Sequence, residues 1–313
     1  MNRFDVAGLR VFERGWLSSN NVLFDGGKDG ESLLVDTGYA THSSQTVALV
    51  QHALGGRDLD KIVNTHLHSD HCGGNAALQA AFECAISVPA GEAAKVDAWN
   101  EATLTFDATG QQCPRFRRTD SIASGDTLQC GPSEWQAIAA PGHDPESIVL
   151  YQPESGLLIS ADALWENGFG VVFPELEGES GFDDVRATLD SLSRLSVRWV
   201  IPGHGSPFED FHGALGRAYR RLDGYVANPA KHARHAAKVL IKFHLLEVQQ
   251  EPVAELHLWL GCTRYMHVVR RIDSRADRVA CRCHCGRIDR QYIGSLKKGK
   301  SPRRETRAFL IIA

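Results

Sequence analysis

Four side chains that can bind metal ions lie within six consecutive residues of this 313-residue chain. The segment 65–74 reads T-H-L-H-S-D-H-C-G-G and contains His66, His68, Asp70 and His71. Imidazole and carboxylate groups are ligands that suit zinc, iron or manganese. Because neighbouring side chains in an irregular loop point in different directions, so tight a cluster could serve two adjacent ions. The spacing therefore predicts a metal site.

Three further ligand-type side chains stand where predicted strands end. They are His143, Asp162 and His204, and glycine precedes both histidines. A strand end followed by a turn can hold a side chain rigidly and still leave room for a metal ion and a substrate. Each of the three is a weak signal alone, but their shared context predicts that they meet the histidine cluster at one rim.

The elements that must position these residues alternate along the chain. Short apolar runs bounded by Gly, Pro, Asp or Asn predict strands at 9–12, 21–24, 32–35, 61–65, 85–88, 136–139, 147–151, 156–159 and 197–201. Helical spacing of apolar residues predicts helices at 42–54, 74–82, 91–98, 181–195, 212–225 and 231–249. We therefore predict an α/β (α+β) domain in which two mixed sheets lie face to face with helices outside, followed by a helical region.

Five short motifs follow one another in order between residues 21 and 204. They are L-V-D-T-G at 34–38, the H-x-H-x-D-H cluster, Gly142-His143, S-A-D ending at Asp162, and P-G-H-G around His204. Together they resemble the signature of the metallo-β-lactamase superfamily of metal-dependent hydrolases. The resemblance implies a four-layer αββα sandwich with two divalent metal ions, zinc being the first choice and iron or manganese the alternatives.

The resemblance also implies a ligand for each position of a dinuclear site. The implied ligands of the first ion are His66, His68 and His143. The implied ligands of the second ion are Asp70, His71 and His204, with Asp162 bridging the two ions. Asp36 and Thr65 are implied to support the ligating imidazoles through hydrogen bonds. Asp36 could equally end a strand and open a turn.

The chemistry implied by such a site is hydrolysis. Two cations about 3.5–4 Å apart can share a bridging water, lower its pKa toward neutrality and polarise the scissile bond. Asp70 is the candidate catalytic residue, because it would orient the bridging hydroxide and pass a proton to the leaving group. Trp165, Phe169 and Phe173 follow Asp162 closely and are candidates for lining an apolar pocket, although core packing explains such aromatic residues equally well.

The substrate class is less defined than the chemistry. The Asp70-His71 pair and Asp162 resemble the thioesterase, lactonase and nuclease branches more than most antibiotic-hydrolysing members. The leading hypothesis is a dinuclear hydrolase that uses a metal-bridging hydroxide to cleave an ester, thioester or lactone. The alternatives are a phosphodiesterase or nuclease, and, third, a mononuclear iron sulfur dioxygenase or a metal-binding protein without catalytic activity.

Charge and composition limit the partners. The net charge is -4, but residues 270–313 carry +9, so the preceding 269 residues carry -13. Such an acidic body disfavours nucleic acid and favours a small-molecule substrate, with a homodimer as an open alternative. No apolar run approaches the ~20 residues of a membrane helix, and the N-terminus lacks the pattern of a signal peptide. We expect a cytoplasmic protein with no membrane partner, whose eight scattered cysteines are reduced.

The sequence predicts three segments. Residues 1–207 form the catalytic domain, and 208–269 form a helical extension that resembles those of glyoxalase II and related lactamase-like proteins. This extension could form a wall of the substrate site or simply pack on the sandwich. Residues 270–313 form a basic, cysteine-containing tail that we expect to be poorly ordered. Its run C-R-C-H-C at 281–285 is too tightly spaced for an ordinary structural zinc site.

Overall fold

Eleven strands form two mixed sheets in the computed structural model, which describes residues 8–27, 30–130 and 133–280. The strands are β1 (Leu9–Phe12), β2 (Asn21–Phe24), β3 (Leu33–Val35), β4 (Lys61–Val63), β5 (Ala85–Pro89), β6 (Asp120–Ile122), β7 (Thr127–Cys130), β8 (Ser133–Ala139), β9 (Ile148–Gln152), β10 (Leu157–Ala161) and β11 (Trp199–Pro202). One sheet has the order β1-β2-β3-β4-β5-β6, and the other has the order β11-β10-β9-β8-β7.

Each sheet has an antiparallel half and a parallel part. In the first sheet β1, β2 and β3 pair antiparallel, whereas β3 to β6 pair parallel. In the second sheet β7 to β10 pair antiparallel, and β11 adds parallel to β10. Strands β8, β10 and β11 therefore run in one direction, so that their carboxyl ends meet at the same edge of the sheet.

Helices cover the outer faces of both sheets. They are α1 (Ser43–Leu54), α2 (Ser69–Cys72), α3 (Asn75–Phe82), α4 (Ala93–Ala98), α5 (Phe106–Thr109), α6 (Phe173–Glu177), α7 (Gly181–Leu192), α8 (Phe211–Val226), α9 (Pro229–Val248), α10 (Val253–Cys262) and α11 (Arg264–Ala280). Two short 3-10 turns, Ala40–His42 and Ala90–Glu92, precede α1 and α4.

Strict alternation along the strands divides the apolar side chains between separate cores. Val22 and Phe24 on β2 point toward the second sheet, where the Phe24 ring meets Trp135 edge-on at 5.1 Å between centroids. Leu23, between them, packs instead in the core formed with α1 and α3. On the far side, Leu158 of β10 packs in a third core with α7 and α8. The predicted αββα sandwich is confirmed.

The C-terminal helices pack on one end of this sandwich. Ala233 and Ala237 of α9 share a core with Met266 and Val269 of α11 and with Val171 of the catalytic domain. The helical extension predicted from the sequence is therefore present. It continues to the end of α11 at residue 280, across the boundary predicted at 270, because apolar residues recur at helical spacing among the arginines of this segment. The cysteine run at 281–285 and the rest of the predicted tail lie outside the described residues.

The predicted strands and helices occur at the expected places, with ends shifted by a few residues. The sequence analysis missed β6 and β7, which lie at the edges of the two sheets. In β6 only Ile122 is buried, and β7 buries only Leu128 and Cys130, so neither strand carries an apolar run. Pairing with β5 and β8 creates these strands, and that contribution has no local signal. In the described part of the chain, no helix has the length and apolar character that crossing a bilayer requires.

We predict that Leu150→Ala destabilises the protein by about 2–5 kcal/mol in the free energy of unfolding. Leu150 lies on β9, fully buried between the sheets, so its truncation removes apolar contacts and leaves a cavity. Urea denaturation monitored by circular dichroism measures the effect. Leu258→Ala is the matched control, because Leu258 is 67% exposed and its loss should cost less than about 0.5 kcal/mol. Equal effects of the two substitutions would contradict this assignment of the core.

Candidate metal centre

The strand ends of both sheets converge on one rim of the sandwich. His66 and His68 lie in the loop after β4, and α2 then carries Asp70 and His71. From the second sheet, His143 follows β8, Asp162 follows β10 directly, and His204 follows β11. A hydrogen bond of 2.9 Å from the Ile148 N–H to the Thr65 carbonyl joins the sheets at this rim.

All seven predicted ligands are brought together there and buried. Their exposed fractions are 7% or less. They form two groups within which the potential ligand atoms lie within 4.8 Å of one another. The first group is His66, His68 and His143. The second group is Asp70, His71, Asp162 and His204.

In the first group, two ring nitrogens face the same point. His68 Nδ1 lies 2.7 Å from His143 Nε2. His143 Nδ1 lies 2.5 Å from the Val171 carbonyl, which can only accept a hydrogen bond, so Nδ1 carries the proton and Nε2 of the neutral ring presents a lone pair. His66 Nε2 is buried without a hydrogen-bond partner. The unpartnered His66 Nε2 and the close pair of His68 and His143 nitrogens fit a cation between the rings.

In the second group, imidazoles face carboxylates. His204 Nε2 lies 3.0 Å from Asp70 Oδ2, and His71 Nε2 lies 3.4 Å from Asp162 Oδ1 and 3.8 Å from Asp70 Oδ2. His71 Nε2 is buried without a hydrogen-bond partner, like the nitrogen of His66. This mixture of nitrogen and oxygen donors suits a divalent metal ion.

Asp162 lies between the two groups. Its Oδ1 faces His71 Nε2, and its Oδ2 lies 3.4 Å from His143 Nε2. The indole N–H of Trp165 donates to Oδ1 at 3.1 Å and so fixes the carboxylate from outside. Gly203 makes room for this arrangement, because a Cβ there would collide with Asp162 Oδ1 and with the backbone of Ala161. One carboxylate therefore faces nitrogens of both groups.

Burial and charge set the protonation of the donors. Burial lowers the pKa of His68 and of His143 to about 4, and it holds the pKa of His66 well below its usual value. These three rings are therefore neutral near pH 7 and present lone pairs. Burial alone would lower the pKa of His71, but Asp36, Asp162 and Asp70 raise it well above its usual value.

The carboxylates stay ionised for a related reason. Burial opposes ionisation of Asp162, but His204 and His71 together lower the pKa of its carboxyl group well below the usual range. Burial likewise opposes ionisation of Asp70, and His71 and His204 lower its pKa. The buried carboxylates therefore need positive charge nearby, and divalent cations would provide it.

Asp36 lies behind the ligand groups and accepts hydrogen bonds from two residues of the centre. Its Oδ2 accepts hydrogen bonds from His71 Nδ1 at 2.7 Å and from Thr65 Oγ1 at 2.8 Å, and its Oδ1 accepts from the Thr65 N–H at 2.9 Å. Thr65 Oγ1 in turn lies 3.1 Å from His66 Nδ1. Asp36 has a positive φ of 56°, which is uncommon for a residue other than glycine. Both residues therefore occupy positions from which they can orient imidazoles.

Two of the three aromatic candidates lie at the site, and the third packs in the core. Trp165 lies beside the centre, but Phe169 is 1% exposed and packs against Tyr225 in the core with α7 and α8. It lines none of the described cavities near the centre. Phe173, the remaining candidate, lies at the centre with its ring 5.0 Å from that of His68. Spacing after Asp162 could not separate these cases, because long-range packing decides which of the rings meets the core.

Sequence reasoning also missed Trp16. Its ring stacks on His204 at 5.4 Å between centroids and 10° between planes, and it meets Trp165 edge-on. A cavity lies beside the two ligand groups, and we call it the central cavity. Helix α9 adds Val239, Leu240 and Phe243 to its wall. Nothing in the local sequence of Trp16 or α9 signals these contacts, since long-range packing creates them.

Comparison with known proteins identifies the family. A family model for the metallo-β-lactamase superfamily matches residues 14–204, which include every ligand position. The chain belongs to this superfamily. The resemblance drawn from the five motifs is thereby confirmed.

Curated relatives of this superfamily member are hydroxyacylglutathione hydrolases. That of Bdellovibrio bacteriovorus is 28% identical over 147 residues, 46% of this chain and 48% of the relative. That of Rhodospirillum rubrum is 32% identical over 140 residues, 45% of this chain and 44% of the relative. The chain thus spans about half the length of the curated relatives it matches.

Solved structures show the same metallo-β-lactamase fold. A β-lactamase domain protein from Burkholderia ambifaria aligns with a TM-score of 0.58 and 23% identity, covering 74% of this chain and 78% of its own. At this identity the likeness supports the fold.

We predict that Asp36→Ala weakens metal binding by about 10–100-fold, because His71 loses the acceptor that orients its ring. Isothermal titration of the chelator-treated protein with zinc measures the affinity. Asp58→Ala is the control, since Asp58 is exposed and precedes β4, whereas the predicted ligands follow the other end of that strand, and it should bind zinc like the wild type. Unchanged zinc affinity in Asp36→Ala would contradict the orienting role.

Proposed function

We propose that this protein is a hydrolase that depends on two divalent metal ions and cleaves an ester, thioester or lactone, with thioesters as the leading class. The observation that carries the proposal is the position of Asp162, whose two oxygens face nitrogens of the two ligand groups. A buried carboxylate between two such groups can bridge two metal ions. Zinc is the first choice of metal, because imidazole and carboxylate ligands suit it.

The seven buried side chains would hold the ions as the resemblance implies. His66, His68 and His143 would bind one ion. Asp70, His71 and His204 would bind the other, and Asp162 would bridge them. When bound, the two ions would lower the pKa of a water molecule and polarise the carbonyl group that is attacked.

Asp70 has the catalytic role among these residues. Its carboxylate is 6% exposed, and Oδ2 faces both His204 and His71. It lines the central cavity together with Asp162, Trp165 and Phe173, so a substrate there meets two ionised carboxylates beside aromatic walls. Asp70 would orient the attacking water, accept its proton and deliver that proton to the leaving group. The apolar walls would limit competing water and strengthen these electrostatic contacts.

The thioester class rests on the curated relatives and on the ligand set. The relatives are named for hydrolysis of hydroxyacylglutathione, which is a thioester. They match this chain over about half of their length, so their specificity for glutathione is not transferred with the chemistry.

We predict that the zinc-loaded protein hydrolyses acyl thioesters or lactones, and that Asp70→Asn lowers kcat/KM by about 10²–10⁴-fold without loss of fold. The amide cannot accept the proton of the attacking water. A panel of thioesters, lactones, a β-lactam and bis-nitrophenyl phosphate measures turnover, and circular dichroism checks the fold. Asp58→Asn, an exposed change, should retain full activity. Turnover of the phosphodiester alone, or oxygen consumption with one bound iron, would refute the proposed hydrolase.

We predict that metal removal lowers Tm by at least about 5 °C. At a free metal concentration of about 100 times the Kd, each ion adds about 2.7 kcal/mol to the free energy of unfolding. A change of 1 kcal/mol corresponds to about 2–4 °C in Tm for a chain of this size. Differential scanning fluorimetry with and without a chelator measures the shift, and elemental analysis should find two ions per chain. His143→Ala should reduce the shift, whereas His52→Ala, at an exposed position of α1, should preserve it. A Tm that does not respond to chelation would contradict a metal centre.

A further inference from the structure

One peptide group lies between two buried histidines, and one of these is a predicted metal ligand. The carbonyl oxygen of Val171 accepts a hydrogen bond from His143 Nδ1 at 2.5 Å. The N–H of the same peptide group belongs to Val172 and donates to His232 Nε2 at 3.1 Å. His232 is part of α9. A helix of the C-terminal extension is therefore connected to the metal centre through a single peptide group.

The backbone beside this peptide group lies against the ring of His143. A Cβ at position 170 would come within 2.4 Å of His143 Nδ1, so the chain can approach the ring this closely only because Gly170 has no side chain. The Gly170 N–H also donates to the Asp162 carbonyl at 2.9 Å. We call residues 170–172 the His143 loop. It contacts the side chain of one predicted ligand and the backbone of another.

His232 is a rigid acceptor for the His143 loop. It is 1% exposed, and its ring packs against those of Phe182 and Tyr225 at 5.2 and 5.1 Å between centroids. Burial lowers the pKa of His232 to about 3, so the ring is neutral near pH 7. Because Nε2 accepts from the Val172 N–H, the proton of the neutral ring lies on Nδ1.

The two hydrogen bonds at the peptide group strengthen each other. Donation by an amide N–H increases the electron density on the carbonyl oxygen of the same group, which then becomes a better acceptor. The Val171 carbonyl therefore holds the Nδ1–H of His143 more tightly when Val172 donates to His232. A stronger hydrogen bond at Nδ1 fixes the ring and raises the basicity of Nε2, the atom available to a metal ion.

His232 has no direct access to a substrate. In the part of the chain that the structure describes, it is absent from the linings of the three cavities that contain predicted ligands. The hydrogen-bonding partners of His66 and His71 differ in origin, because Thr65 and Asp36 both belong to the catalytic domain. Only the support of His143 extends, among these three, to the C-terminal helices.

We propose that His232 is a positioning residue of the metal centre. It holds the peptide group between Val171 and Val172 so that the carbonyl orients His143 and strengthens Nε2 of that ring as a metal ligand. This inference rests on the proposed function, because it takes His143 as a ligand. It gives α9 a part in metal binding in addition to its packing on the sandwich.

Two substitutions of His232 test this role through zinc binding. Leucine removes the acceptor, whereas the Oε1 atom of glutamine can take the place of Nε2. We expect His232→Leu to weaken one of the two zinc affinities by about 3–10-fold and to leave the other within about 2-fold, since one predicted ligand is affected. His232→Gln should restore most of the lost affinity. Competition with a chromophoric chelator measures both affinities.

His235→Leu is the matched control for zinc binding. His235 is a partly buried histidine of the same helix, and its Nε2 has no hydrogen-bond partner. This variant should keep both wild-type zinc affinities, and circular dichroism checks the fold of each variant. A merely structural role of His232 would lower the Tm of metal-free His232→Leu but leave both zinc affinities of the folded protein unchanged. That result would overturn the positioning role.

NMR of the metal-free wild type tests the hydrogen bonds without any substitution. We expect a scalar coupling across the hydrogen bond between the Val172 amide nitrogen and His232 Nε2. Long-range ¹H–¹⁵N spectra should place the proton of both His143 and His232 on Nδ1. A proton on His232 Nε2 would overturn the inference, even if His232→Leu does not fold.

Failure of the proposed function gives a different result from failure of this inference. If zinc binds and His232→Leu weakens one affinity, but no thioester or lactone is cleaved, the proposed hydrolase fails and the positioning role stands. If the wild type hydrolyses a thioester and His232→Leu binds both zinc ions as tightly as the wild type, the positioning role fails and the hydrolase stands. A wild type that binds no zinc would refute both.

Discussion

Burial of a large polar cluster at the rim of the sandwich is the constraint on which the rest of the structure depends. Five imidazoles and two carboxylates share a space with little access to water, and several of their atoms have no protein partner. Such an arrangement is costly unless cations complete it. The fold holds these side chains in place at the ends of parallel strands. The carboxylate of Asp36 supports His71, and the indole N–H of Trp165 supports Asp162.

Much of this arrangement could be predicted from the sequence, because the decisive signals are local. Residues 33–35 and 61–63 are short apolar strands, and each is followed directly by polar residues that must turn toward the rim. The H-x-H-x-D-H spacing requires no knowledge of tertiary structure. Ligands such as His143 and Asp162 are less distinctive alone, and the family pattern was needed to group them.

The parts that could not be predicted depend on contacts between distant segments. Strand β6 forms because β5 offers it a free edge, and its own three residues include one buried side chain. Trp16 reaches His204 across 188 positions of sequence, and Phe169 turns into the core although its neighbours Trp165 and Phe173 lie at the site. Periodicity describes one element at a time, so it does not report which face of a loop meets another element.

The contribution of α9 has a consequence for how this protein could change over time. Every ligand position precedes residue 205, whereas a large part of the wall that a substrate would touch lies at residues 235–243. Under the proposed function, the residues that would carry the reaction and those that would contact the substrate thus lie in separate stretches of the chain. Substitutions on the face of α9 that lines the central cavity would change which substrates bind and would leave the rim with the predicted ligands unaltered. This face of α9 can therefore change in sequence without altering any predicted metal ligand.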